Sequence, residues 1–349
     1  MTSILALARP DIVALKPYSH ASWDPAFERL HANELPWRAE TDRSVAGLNR
    51  YPEPHPHVLA LRLAQLYGVS VEHLLPGRGS DESIDLLVRG FCRAGVDNVV
   101  LCPPTFGMYA VAARIQGAEV REVPLVAERG FALDTAGVLA ACDAHTKIVF
   151  LCSPNNPTGN AMAPAAIEQL LVALSARSLV VVDEAYIEFS GEASLTSALA
   201  RFPNLVVLRT LSKAFGLAGA RVGSLIAAPE IVALLSKVIP PYSIPQLTIE
   251  AVLATLAEPQ LAIARERVAQ IRAERERVRA ALANCKGVQK IWPSVANFLL
   301  VDFADAAAVL DAARGAKLLI RDMRNVSPRS LRISVGSPEQ NDRLIRSLA

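Results

Sequence analysis

From about residue 80 to 227, short apolar runs alternate with longer stretches whose apolar positions recur every three to four residues. The runs NVVLC (98–102), KIVFLC (147–152), SLVVVD (178–183), NLVVLRT (204–210) and VGSLIAA (222–228) have strand length and β-branched content. Between them, SDESIDLLVRGFCRAG and APAAIEQLLVALSARS carry helical spacing, the first with Ser80 as its cap ahead of acidic residues and Gly95 to close it. Strands that read as continuous apolar runs, separated by helices, predict a parallel or mostly parallel sheet covered on both faces.

After about residue 229 the pattern changes. EPQLAIARERVAQIRAERERVRAALANCKG predicts one long helix with Leu261, Ala264, Val268, Ile271, Val278 and Leu282 on one stripe, its Arg and Glu residues around the solvated face, and Gly287 to end it. This helix bridges into a smaller α+β domain containing ANFLLVDF and SLRISVG. The expected organisation is an N-terminal arm with part of the small domain over 1–45, running back over that domain; a large domain over 46–255; and a small C-terminal domain over 256–349. No fixed-period repeat or low-complexity block interrupts it.

Length and composition fit this plan: 349 residues exceed one typical core, and 52% apolar with 20% charged residues is ordinary for a globular enzyme. The 36 basic and 34 acidic residues leave a formal charge of +2, so no bulk field draws nucleic acid or a membrane surface, and an anion must be gripped locally. Five cysteines without a CxxC pair predict reduced thiols rather than a disulfide framework or a zinc site, and no metal is expected. The N-terminus offers only a five-residue apolar run before Arg9, too short for a signal segment, and the expected location is the cytoplasm.

Functional residues in such a sheet gather at the carboxyl ends of the strands. Four successive ends here read PPTFGMY, SPNNPTG, DEAYIEF and TLSKAFG, delivering aromatics, amides, a carboxylate with a phenol, and a lysine. Lys213 stands where an apolar run stops, a setting that lowers an amine's pKa or lets it be held as a Schiff base. Asp183 closes LVVVD, where a buried carboxylate calls for a cationic partner, and the pyridinium nitrogen of pyridoxal phosphate is one. Asn156 and Tyr186 are placed to hydrogen-bond that ring's phenolate oxygen. GRGSDES (77–83) opens a helix whose free N–H groups bind phosphate, with Ser80, Asp81 and Glu82 at the opening and Ser212 and Arg221 to complete the cradle. Its partial likeness to a dinucleotide fingerprint fails at Glu82, which stands in place of the third glycine.

GSDE, PPTFGMY, SPNNPTG, DEAY, TLSKAFGLAGARVG, ANFLL and LRISVG, in this order, resemble the fold-type-I pyridoxal-phosphate-dependent aminotransferases over nearly the whole chain, and within them the histidinol-phosphate branch. The resemblance implies that Lys213 carries the cofactor as a Schiff base, Asp183 pairs the ring nitrogen, Asn156 and Tyr186 hold the phenolate oxygen, and Ser80, Asp81, Ser212 and Arg221 surround the phosphate. It implies a stacking ring, Phe106 or Tyr109, and a homodimer in which Tyr51 of NRYPEP reaches the partner's cofactor. Arg332 would grip the substrate's carboxylate or phosphate, with Arg321 and Tyr18 adding contacts. The family's Asn-Glu-Asn-Pro-Tyr-Gly stands here as ANELPW, with Leu35 and Trp37 as departures. The expected reaction is amino transfer between L-histidinol phosphate and 2-oxoglutarate, against L-threonine-O-phosphate decarboxylation or aromatic amino acid transfer on the same fold.

Overall fold

The computed structural model describes residues 3–24 and 26–348, so the outermost ends of the expected arm and small domain, 1–2 and 349, lie outside the described residues. A seven-stranded sheet holds β1 (Leu74–Gly77), β2 (Asn98–Leu101), β3 (Glu119–Glu122), β4 (Thr146–Cys152), β5 (Leu179–Asp183), β6 (Leu205–Thr210) and β7 (Gly223–Ala227) in the order β1-β7-β6-β5-β4-β2-β3. Strands β2 to β6 are mutually parallel, as the apolar runs predict. β5 and β6 are buried at every position, because helices cover both faces of the sheet.

β7 runs antiparallel to both β6 and β1. The connection, residues 211–222, holds only a 3-10 turn at Ala218–Ala220 and forms no crossover helix that would carry the chain back to start a parallel strand. The return brings Gly223, the first residue of β7, opposite Gly77 of β1 and back to the end of the sheet where Lys213 sits.

Two edge strands have no apolar run to announce them. β3 is the polar EVRE, and β1 is LLPG, whose Pro76 is tolerated at an edge. Helix Ser80–Phe91 ends before Gly95, and its N-cap is Gly79 rather than Ser80, which makes no side-chain cap.

Two apolar layers flank the sheet. One joins helices His57–Tyr67, Pro164–Ala173 and Gln246–Thr255; the other joins Ser80–Phe91, Met108–Gln116 and Pro229–Ser236. Ile4, Leu7 and Ala8 belong to the second layer, so the start of the arm, expected over the small domain, packs on the large one.

The long helix forms as Glu258–Leu282 and delivers Val278 and Leu282 into a separate core beneath a four-stranded antiparallel sheet. That sheet holds β8 (Val288–Ile291), β9 (Phe298–Phe303), β10 (Arg321–Asp322) and β11 (Ser330–Ser334) in the order β10-β11-β9-β8. Arg275 departs from the expected solvated face: it is 7% exposed and donates to the carbonyls of Ala296 (3.0 Å) and Phe189 (3.4 Å). A guanidinium can be buried there because it satisfies two backbone acceptors, tying the helix to segments on both sides. Among the described residues, no single helix is long and apolar enough to cross a membrane.

Candidate active site

The carboxyl ends of β4, β5 and β6 and the opening of helix Ser80–Phe91 surround one cavity of about 560 Å³. Ser80, Asp81, Phe106, Asn156, Asp183, Tyr186, Ser212, Lys213 and Arg221 all line it. Residues spread over more than 140 sequence positions converge because parallel strands present their loops at one end of the sheet.

Asp183 is 3% exposed and each of its oxygens accepts one hydrogen bond: Oδ1 from the Ala185 N–H at 3.0 Å and Oδ2 from the Tyr109 hydroxyl at 2.8 Å. Burial raises its pKa to about 6, opposed by these two hydrogen bonds and by the charge on Lys213. Such a carboxylate is primed for a cation entering the cavity.

Lys213 shows the complementary effect. Burial lowers its pKa first, then the positive charges of Arg332 and Arg221, while Asp183 and Asp81 pull the other way. A lowered pKa raises the share of free amine able to add to a carbonyl. The Nζ stands 5.6 Å from the centre of the Tyr186 ring.

The cavity lining also brings a guanidinium to the opening of a helix. Arg221 Nη1 donates to Ser212 Oγ and Nη2 to Asp81 Oδ2, both at 3.2 Å, beside the first turn of helix Ser80–Phe91. Arg221 adopts φ 55°, a left-handed conformation that an arginine takes at a cost of about 1 kcal/mol or more. The contacts to Ser212, Asp81 and the Ala218 carbonyl hold it there.

Two glycines make the close approach possible. A Cβ at Gly79 (φ +80°) would stand 2.7 Å from Arg221 Nη2, and one at Gly223 would stand 2.5 Å from both Gly79 C and Ser80 N. Because the Gly223 neighbours are backbone, Gly223→Ala must push β7 away from the helix opening. It is expected to cost about 1–3 kcal/mol of stability and to weaken binding of a phosphate-bearing ligand by about tenfold or more. Thermal melts with and without ligand check it, and an unchanged ligand-induced shift would refute the close-approach argument.

Asn156 and Tyr186 line the cavity and connect through hydrogen bonds to Arg332, which lies outside its lining. Asn156 Nδ2 donates to the Tyr186 hydroxyl at 3.4 Å, and Arg332 Nη1 donates to Asn156 Oδ1. Arg332 comes from β11 of the small sheet, so this contact spans the two sheets. Burial and neighbouring Arg321 pull the Arg332 pKa down.

Several expected contacts fall elsewhere. Glu82 points away from the cavity, its carboxylate taken by the Arg78 backbone N–H and guanidinium at 2.6 Å each. Tyr109 offers the cavity no ring face: it is fully buried, stacked on Phe150 at 4.9 Å, with Phe106 edge-on at 5.6 Å. Phe106 alone of the two lines the cavity. Tyr18 and Arg321 are exposed side chains outside the cavity wall, Arg321 lying opposite Arg332 in register. Tyr51, expected to act across a dimer, is half exposed in the single chain and stacks on Tyr242 at 4.7 Å.

Cys152, Ala185, Thr210 and Ala218 line the cavity without having been singled out, each within four residues of a predicted one. Asn155 was also missed; its amide donates to the Pro104 carbonyl and Thr158 Oγ1, clamping two of the four loops together. All five thiols are free, and among the described residues no cluster of three His, Cys, Asp or Glu side chains is placed to hold a metal.

A lysine with lowered pKa, a buried acid and a guanidinium at a helix opening in one cavity fit a phosphorylated aldehyde with a basic ring nitrogen. A sequence-family model described as Aminotransferase class I and II matches residues 28–348. The chain belongs to this family. A histidinol-phosphate aminotransferase from Xanthomonas campestris pv. campestris is 49% identical over 99% of this chain and 97% of its own length. Among solved structures of the fold, a histidinol-phosphate aminotransferase from Sinorhizobium meliloti in complex with pyridoxal-5'-phosphate has a TM-score of 0.75 at 29% identity, covering 86% of this chain and 84% of its own. An L-threonine-O-3-phosphate decarboxylase from Porphyromonas gingivalis has a TM-score of 0.73 over 86% of this chain and 90% of its own, and at 24% identity speaks to the fold alone.

Proposed function

We propose that this class I and II aminotransferase moves the amino group of L-histidinol phosphate to 2-oxoglutarate, yielding imidazole acetol phosphate and glutamate in histidine biosynthesis, with pyridoxal 5'-phosphate as cofactor. The observation that carries the reading is the meeting of Lys213, Asp183 and the Ser80–Ser212–Arg221 cradle in one cavity. The full-length 49% identity to a histidinol-phosphate aminotransferase supports the choice of substrate.

Bound there, the cofactor supplies an aldehyde that links to amines and a protonated ring that draws electrons from the substrate's carbon. Lys213 Nζ would hold it covalently and, once the substrate amine has displaced it, would be the free amine placed to take up the proton from the substrate carbon. Asp183 would keep the ring nitrogen protonated, Asn156 and Tyr186 would hold the ring oxygen, and Phe106 would cover a ring face. Ser80, Ser212, Arg221 and the Asp81 N–H would grip the phosphate.

Arg332 is the substrate's anion anchor, suited to the phosphate of one substrate and the carboxylate of the other. Arg332→Ala is expected to lower kcat/KM in both half-reactions by about a hundredfold, through loss of a half-buried charged contact. Unchanged constants for both half-reactions would remove Arg332 from the role.

The arm leaves Tyr18, Phe27, Leu30 and Trp37 largely exposed, between 71% and 96%. Apolar surface of this extent supports a homodimer in which Tyr51 reaches the partner's cofactor. The arm over 1–45, the large domain over 46–255 and the small domain over 256–349 are the working units, acting in the cytoplasm.

The deciding experiment is a coupled assay with histidinol phosphate and 2-oxoglutarate. Glutamate should form at a rate that depends on both substrates. Carbon dioxide release from L-threonine phosphate without glutamate would replace this reading with the decarboxylase.

A further inference from the structure

We propose that Tyr109 is a positioning residue that acts through Asp183, holding the carboxylate ionised and aimed at the cofactor's ring nitrogen. This role rests on the cofactor reading above.

The geometry starts in the sheet. Cys152 of β4 lies opposite Asp183 of β5, and Phe150 lies two residues earlier on β4. The Tyr109 ring lies nearly parallel to Phe150, at 6° and 4.9 Å, so its hydroxyl is carried along β4 toward the Asp183 carboxylate. Tyr109 is the second residue of helix Met108–Gln116 and is fully buried, with no route to solvent. A phenol there needs an acceptor, and Asp183 Oδ2 at 2.8 Å is it.

The effect on Asp183 is specific. Each carboxylate oxygen accepts one hydrogen bond, from Tyr109 and from the Ala185 N–H, which fixes the plane and leaves lone pairs for a cation. Both bonds favour the ionised carboxyl, which burial opposes. Tyr109 has no competing ionisation, since burial and the nearby Asp183 charge push its own pKa upward. The other titratable groups near Asp183 are Lys213, Asp81, Cys152 and Tyr186. Tyr109 also meets Phe106 edge-on, so one ring braces both the acid and the aromatic wall of the cavity.

Tyr109→Phe keeps the ring and its stack and removes only the donor. The full chain, as wild type, Tyr109→Phe, Asp183→Asn and the double variant, is titrated with pyridoxal 5'-phosphate across pH, following the visible absorbance of bound cofactor. Near pH 6, Tyr109→Phe should bind about tenfold more weakly than wild type, the size of one hydrogen bond to a charged group. The ratio should shrink as pH rises, because a carboxyl without its donor must lose a proton before it can pair with the ring. In the Asp183→Asn background the same change should be worth less than about twofold. A ratio within about twofold near pH 6, a ratio flat with pH, or an equal effect in both backgrounds would overturn the proposal. Failure of wild type itself to take up the cofactor would instead refute the cofactor reading.

Discussion

Lys213→Ala is expected to lower amino transfer by at least about a thousandfold while leaving the protein able to bind pyridoxal phosphate noncovalently. A positioned proton-transfer group alone contributes roughly a hundred- to ten-thousandfold, and this residue also makes the covalent link. No other lysine lines the cavity, so no neighbour can take over either task. Its pKa is lowered by burial and by Arg332 and Arg221, which no water-borne amine reproduces. The cradle is separate from Nζ, because Arg221 bonds Ser212 and Asp81 through their side-chain oxygens. Borohydride reduction of the holoenzyme followed by mass spectrometry should place the added mass on Lys213 and find none in the variant. Turnover above about a tenth of wild type, or label on another residue, would move the chemistry elsewhere.

What the sequence disclosed, it disclosed through strand ends. β4, β5 and β6 are central, so burial on both faces writes them as unbroken apolar runs, and the residues that stop each run must face the loops. That is why Asn156, Asp183, Tyr186, Ser212 and Lys213 could be assigned to one place before any coordinates were known. β1 and β3 escaped because edge strands need no such run. The reversal of β7 escaped because direction is set by the path of a connection, not by the strand's composition.

Tyr109 and Glu82 mark a second limit. Both lie in motifs that reach the cavity, yet a helix turns each side chain by about 100° from its neighbour, so adjacent motif residues face different ways. Phe106 precedes helix Met108–Gln116 and meets the cavity; Tyr109, inside it, turns under the sheet. The LRISVG motif points to Arg332, but its contact with Asn156 joins residues 176 positions apart and leaves no mark in local spacing.

Asp183→Asn should cut kcat by about a hundredfold or more while making the cofactor-free protein more stable at neutral pH. The loss follows from removing a preorganised charge opposite a developing one in a water-poor site. The gain follows from burial. The Asp183 pKa rises from 3.8 to about 6 on folding, so the folded state holds a proton more tightly than the unfolded chain does. Below about pH 3.8 the carboxyl is neutral in both states and costs nothing; between there and pH 6 the cost grows, and above pH 6 it is constant at about 3 kcal/mol. The neutral amide escapes that cost, less whatever it loses facing the Ala185 N–H. Denaturant unfolding of cofactor-free wild type and variant should therefore diverge as pH rises from about 4 to 7, the variant becoming the more stable. Adding pyridoxal phosphate should reverse the order, since only wild type then gains an ion pair at that position. Parallel stability curves across pH would mean that Asp183 carries no strain for the cofactor to relieve, and the explanation of its buried charge by the ring nitrogen would lose its energetic basis in this chain.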